Sequence, residues 1–164
     1  MRFYHRRVVP GVQVAVIGSG FENEERAEEV GRLLAERAAT VVSGGRGEVM
    51  AAASRGAKAA GGTTIGILPG ETRAGANEWL DHVVVTGIGH ARNLAVVASG
   101  DAVIAVGGRW GTLAEIGFAR VLGRPVVVLD PGWDVTGDGV EHASSPAEAV
   151  ERALALVVSA SRGR

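Results

Sequence analysis

Runs rich in valine and isoleucine alternate along this chain with alanine-rich stretches that carry charges at helical spacing, and few folds accept that alternation. A strand that is apolar on both faces must be covered on both, which is the condition of a parallel sheet enclosed by helices. Strands are predicted near Val12–Ile17, Thr40–Val42, Thr63–Leu68, His82–Thr86, Ala102–Val106 and Pro125–Leu129. Helices are predicted near Asn23–Ala38, Glu48–Ala60, His90–Ser99, Gly111–Leu122 and Pro146–Ala160, the last with Ser144 or Ser145 as cap and Pro146 in the first helical position. In the first helix Ala27, Val30, Leu33, Leu34 and Arg37 form the stripe to be buried, while Glu24, Glu25, Glu28, Glu29, Arg32 and Glu36 face water. The predicted class is α/β: a single Rossmann-like, doubly wound parallel sheet of about six strands with helices on both faces, its order reversing between the first and fourth strands.

A length of 164 residues, 46% of them hydrophobic, suits one buried core, so residues 1–164 are expected to form one domain with flexible tails at 1–10 and 160–164. The net charge of −1, without a basic run interleaved with aromatics, argues against nucleic acid as a partner. No cysteine is present, which removes disulfides, thiolate chemistry and cysteine metal sites and fits a cytoplasmic location. His5, His82, His90 and His142 have no metal-ligand spacing, so no metal site is expected. The basic N-terminus leads into an apolar segment interrupted by Gly18 and the charges of Glu22 to Arg26, which makes neither a signal peptide nor a membrane span.

Strand-to-helix loops of a parallel sheet all lie at its carboxyl edge, and here those loops hold glycine: Gly18-Ser19-Gly20, Ser43-Gly44-Gly45-Arg46-Gly47, Gly87-Ile88-Gly89 and Gly107-Gly108-Arg109-Trp110-Gly111. Backbone amides close on an anion where side chains are absent, and helix N-termini add partial positive charge. A phosphate site bounded by Gly18–Gly20, Ser43–Gly47 and Gly108–Thr112 is therefore predicted. The dinucleotide fingerprint GxGxxG is absent, and Glu22 to Glu25 would set carboxylates against a pyrophosphate, so an NAD enzyme is disfavoured.

Individual residues carry two readings each. Thr112 and Glu115 lie three apart and share a helix face, yet Thr112 also suits a helix cap and Glu115 suits the macrodipole without any chemistry. Arg46 is either a ligand cation or a solvated one. Arg92, followed by Asn93, stands in a first helical turn where a cation opposes the dipole, so a carboxylate such as Glu115 or an anionic ligand is the expected reason for it, the other reading being a surface arginine that bridges to the loop. Trp110, in a glycine turn, either covers a ligand or fills an interface, as do Trp79 and Trp133.

Over nearly its whole length the chain resembles the superfamily of LOG, the cytokinin-activating phosphoribohydrolase, and of the molybdenum-cofactor carrier proteins. The resemblance rests on Ser43-Gly-Gly-Arg-Gly-Glu-Val-Met50, Gly56-Ala57, Gly61-Gly-Thr-Thr-Ile-Gly-Ile-Leu-Pro-Gly70, Ala91-Arg-Asn93, Asp101-Ala102 and Gly108-Arg-Trp-Gly-Thr-Leu-Ala-Glu115. The LOG motif PGGxGTxxE, with an arginine upstream, implies Arg92 and Glu115 as the catalytic pair. Gly107 stands in place of the motif's proline, Arg109 in place of its second glycine and Ala114 where LOG has a first glutamate, wording closer to the carrier branch. Relatives called lysine decarboxylases would need a Schiff-base lysine, and the lone Lys58 falls inside the second helix, away from the glycine loops.

The resemblance implies two functions for one site. One is hydrolysis of the N-glycosidic bond of a nucleoside 5′-monophosphate to free base and ribose 5-phosphate. The other is non-catalytic carriage of molybdenum cofactor or sensing of a nucleotide ligand. Neither requires a resident cofactor, and both imply a homodimer or larger assembly.

Overall fold

The computed structural model describes residues 11–162; the segment 1–10 with His5, and residues 163–164, lie outside the described residues. Seven strands and five α-helices follow one another as β1 (Gln13–Ser19), α1 (Glu24–Glu36), β2 (Thr40–Ser43), α2 (Glu48–Ala59), β3 (Thr64–Leu68), β4 (His82–Val85), α3 (Arg92–Ser99), β5 (Ala102–Gly107), α4 (Trp110–Val121), β6 (Val126–Leu129), β7 (Val140–Ala143) and α5 (Pro146–Arg162). The strands form one parallel sheet in the order β4-β3-β2-β1-β5-β6-β7.

The predicted α/β sheet is present, with two corrections. A seventh strand, Val140–Ala143, pairs outside β6; only four residues long and interrupted by Glu141 and His142, it lacks the apolar run that marks the others. The order reverses between the first and fifth strands, because the fourth pairs with the outer side of β3. Residues 69–81 make that parallel crossover without a helix. They are pinned at the far end by Asp81, whose carboxylate accepts from the Thr64 amide at 2.9 Å and whose own amide donates to the Thr64 hydroxyl at 2.9 Å. Helix α5 also runs two residues past its predicted end, to Arg162.

Alternation along each strand divides the core. Val14 and Val16 of β1 pack with α1, α2 and α5, whereas Ala15 and Ile17 pack with Val96 and Val97 of α3 and Ile116 and Ala119 of α4. Helices thus cover both faces, as the strand composition demands. The predicted stripe of α1 is buried, and Arg37 closes it with its guanidinium on the Leu33 carbonyl (3.3 Å) and Glu151 (2.5 Å). Where α1 crosses α2, a Cβ on Gly31 would overlap the Ala53 carbonyl and one on Gly56 would overlap the Glu28 carbonyl, so the two backbones touch.

Candidate functional site

The reversal of strand order places the ends of β1 and β5 side by side, with Ser19 in register with Gly107, while the chains leave in opposite directions. A crevice opens at such a point. Close approach demands glycine here: a Cβ on Gly18 would overlap the Val106 carbonyl. Buried Asn23 spans the seam, its side-chain amide donating to the Ser19 carbonyl at 2.8 Å and leaving no room for a side chain on Gly107.

The resulting cleft of about 170 Å³ is lined by eight of the predicted residues, Gly18, Ser19, Gly44, Arg92, Asn93, Gly111, Thr112 and Glu115, together with Ile17 and Met50. Arg92 and Glu115, far apart in sequence, therefore share one small space. The Arg92 Nη1 donates to the carbonyls of Gly44 and of Ile67, the latter at 2.7 Å, tying the loop after β2 to the end of β3. Its Nε is buried and has no hydrogen-bond partner, and the same holds for the Ser19 hydroxyl. Helix α4 begins with Arg109 at its N-cap and no side-chain capping bond, so Thr112 does not act as the cap and the first amides of the helix stay available. Gly108 packs so tightly on Thr112 that an added Cβ would sit 2.7 Å from the hydroxyl oxygen.

The cleft shifts both of its charged groups. Burial pushes the Glu115 carboxyl up to about 7, against the opposing pull of the Arg92 guanidinium. Burial lowers Arg92 below the usual guanidinium value; Glu115 works against that shift and the neighbouring Arg46 works with it. A carboxyl near neutrality can accept or return a proton at working pH.

The other predicted residues do not line the cleft. The Gly20 amide donates to Glu48 Oε1 at 2.8 Å, so it is not free for a phosphate. The Ser43 hydroxyl is buried and accepts from the Gly45 amide at 3.1 Å, shaping its own loop. The Gly45 carbonyl receives the Asn77 amide at 3.0 Å, and exposed Arg46 lies against Gly75, which fastens the 69–81 crossover to this loop. Gly47 is the N-cap of α2. Exposed Arg109 reinforces the effect of the Glu48 and Gly20 amides, which hold the Glu48 carboxyl below its usual range. Trp110 is 75% exposed and stands edge-to-face with Trp133 at 4.8 Å.

Sequence reasoning missed Asn23 and Glu48. Each looks like an ordinary residue at a helix start, and its job appears only once loops from distant strands are adjacent. Lys58 sits in the last turn of α2, bonded to Asp81 at 2.6 Å and the Gly62 carbonyl at 3.2 Å, remote from the cleft as expected. Among the described residues no group of three His, Asp or Glu could hold a metal ion, and no helix is long and apolar enough to cross a membrane.

The model of the SLOG cluster4 family matches residues 11–160, and the chain belongs to that family. An uncharacterized protein of Archaeoglobus fulgidus is 40% identical over 90% of this chain and 97% of its own length. The molybdenum cofactor binding protein of the phototrophic bacterium Rippkaea orientalis superposes with a TM-score of 0.83 at 34% identity, covering 89% of this chain and 97% of that one. The molybdenum cofactor carrier protein of Chlamydomonas reinhardtii gives 0.82 at 31% identity, covering 90% and 98%. The cytokinin riboside 5′-monophosphate phosphoribohydrolase of Mycobacterium tuberculosis is 34% identical over 65% of this chain, which spans only 62% of that enzyme. These relatives bear out the resemblance read from the glycine motifs.

Proposed function

We propose that the cleft between β1 and β5 holds a phosphorylated heterocyclic ligand, and that the chain serves as a carrier of molybdenum cofactor or of a kindred phosphorylated compound. The observation that carries this reading is the convergence of unsatisfied donors: the buried Arg92 Nε, the buried Ser19 hydroxyl and the uncapped start of α4 all border one cleft. Buried donors without partners are costly, and a phosphate would satisfy them together. The near full-length similarity to a cofactor-binding protein and a carrier protein supports carriage. The test is titration with molybdenum cofactor and with a panel of nucleoside 5′-monophosphates, with ribose 5-phosphate assayed in parallel. Tight cofactor binding without sugar release is expected, and failure to bind any phosphorylated compound overturns the reading.

A second reading, hydrolysis of a nucleoside 5′-monophosphate, is favoured by the neutral-range carboxyl of Glu115. Water would add to the anomeric carbon as the glycosidic C–N bond breaks, the bond's electron pair leaving with the base and a water proton passing to ionised Glu115, which would then return that proton to the base nitrogen. The carboxylate would also stabilise the oxocarbenium-like transition state, while Arg92 would position the ligand. Products are the free base and ribose 5-phosphate.

For either ligand Thr112→Val is expected to weaken binding by about 1 kcal/mol, the scale of one hydrogen bond, with the melting temperature nearly unchanged. Calorimetric titration checks it, and equal affinity would reduce Thr112 to a wall of the cleft. A cytoplasmic homodimer or larger assembly remains part of the proposal. The exposed Leu94, Phe118, Val121 and Leu122 of the α3–α4 side offer apolar surface for it, and sedimentation of the pure protein tests it.

A further inference from the structure

The largest side chain of the β5–α4 turn has no structural duty that the fold explains. Trp110 lies between Arg109 and Gly111, directly before the cleft-lining residues Gly111 and Thr112, yet it leaves 75% of its surface in water. It is nevertheless held in place. Trp133, in the loop after β6, stands 4.8 Å away at an interplanar angle of 78° and donates its indole N–H to the Gly108 carbonyl at 3.1 Å. That carbonyl belongs to the glycine packed on Thr112, so the aromatic pair is fixed to the same turn that borders the cleft. An edge-to-face pair occupies at most one face of Trp110, whichever ring presents its edge. At least one indole face therefore stays open to a planar partner.

We propose that Trp110, braced by Trp133, is the stacking platform for the planar heterocycle of the ligand, purine or pterin, whose phosphate sits in the cleft. The inference rests on the phosphate-binding reading and adds a location for the ring. Stacking on an aromatic side chain tolerates any flat nitrogen heterocycle, since each presents a π-face, so this platform selects for a ring without dictating which one. A rival place exists: an apolar groove of about 410 Å³ between His90, Leu94, Ala114 and Phe118 adjoins the cleft through Asn93 and Gly111. Among the described residues its Phe118 has no ring partner of the kind that braces Trp110.

The experiment compares three probes by calorimetry: ribose 5-phosphate, which has no ring base, neopterin monophosphate, and formycin 5′-monophosphate, a purine-like nucleotide whose carbon–carbon glycosidic bond resists hydrolysis. Wild type is expected to bind one or both ring-bearing probes about 10-fold or more tightly than ribose 5-phosphate, and Trp110→Ala to erase that preference while leaving ribose 5-phosphate unchanged. Trp110→Phe should retain most of the preference. Which ring-bearing probe gains separates a purine from a pterin ligand. Ribose 5-phosphate binding with no gain from either ring overturns the platform alone. A preference that survives Trp110→Ala but falls in Phe118→Ala places the ring in the groove and overturns it as well, as does a Trp110→Ala effect confined to the assembly state. If none of the probes binds wild type, the platform falls; if molybdenum cofactor does not bind either, the phosphate-binding reading falls with it.

Discussion

Gly31→Leu is expected to destabilise the protein by about 3 kcal/mol or more, a fall in melting temperature of roughly 10 °C, because the new side chain has no space between α1 and α2. Even alanine is expected to destabilise. The methyl group would meet the Ala53 carbonyl, a backbone atom that moves only with its helix, and the same collision awaits a Cβ on Gly56 at the Glu28 carbonyl. Helix propensity opposes this by about 1 kcal/mol in favour of alanine, less than the strain of forcing two backbones apart. Gly117 of α4 provides the contrast, since a Cβ there meets nothing within 4 Å. Gly117→Ala should accordingly stabilise by about 0.5–1 kcal/mol. Urea unfolding of the three variants reads both signs, and destabilisation at Gly117 together with neutrality at Gly31 would contradict the account of the crossing.

Glu115→Gln should separate carriage from hydrolysis and also reveal the cost of holding the carboxylate. In a hydrolase the change removes the group that takes the water proton, and a loss of at least ~100-fold in turnover is expected with ligand binding largely kept. In a carrier there is no turnover to lose, and an anionic ligand binds equally or more tightly. Stability changes in either case. Burial raises the carboxyl from 4.5 to about 7, so the folded state holds more protons than the unfolded state across that interval. Stability contributed by the protonated group is complete below 4.5 and is lost as pH rises through about 7. Glutamine does not titrate. The variant should therefore gain on wild type between pH 4.5 and 7 and keep a constant advantage above, and parallel stability curves from pH 4 to pH 8 would refute the raised value.

The sheet was legible because Val14–Ile17, Val103–Val106 and Val126–Leu129 are apolar at every position, a pattern that only full burial explains. Val140–Ala143 escaped notice because an edge strand needs no such run. The place of His82–Val85 escaped for a different reason: pairing depends on where the 69–81 crossover is tied, through Asp81 to Thr64 and Asn77 to Gly45, and those contacts join residues 17 and 32 positions apart. At the site, Arg92 was conspicuous as a cation opposing a helix dipole, and it proves to be bonded to two carbonyls. Glu48 and Asn23 gave no local signal, because each acts on a loop brought near it only by the sheet.

The double engagement of Arg92 bears on how the site meets its ligand. Its guanidinium already bridges the Gly44 and Ile67 carbonyls, while its Nε stays unbonded within the same cleft. The loops around the cleft are thus drawn together during folding, and association has little left to order. A receptor shaped in advance forms its complex without waiting for a rearrangement, so differences in affinity among related compounds should appear as differences in residence time. Arg92 then acts as a mechanical clasp as much as a charge, and a lysine in its place, with one compact ammonium and no fork, would loosen the vessel before it weakened the grip.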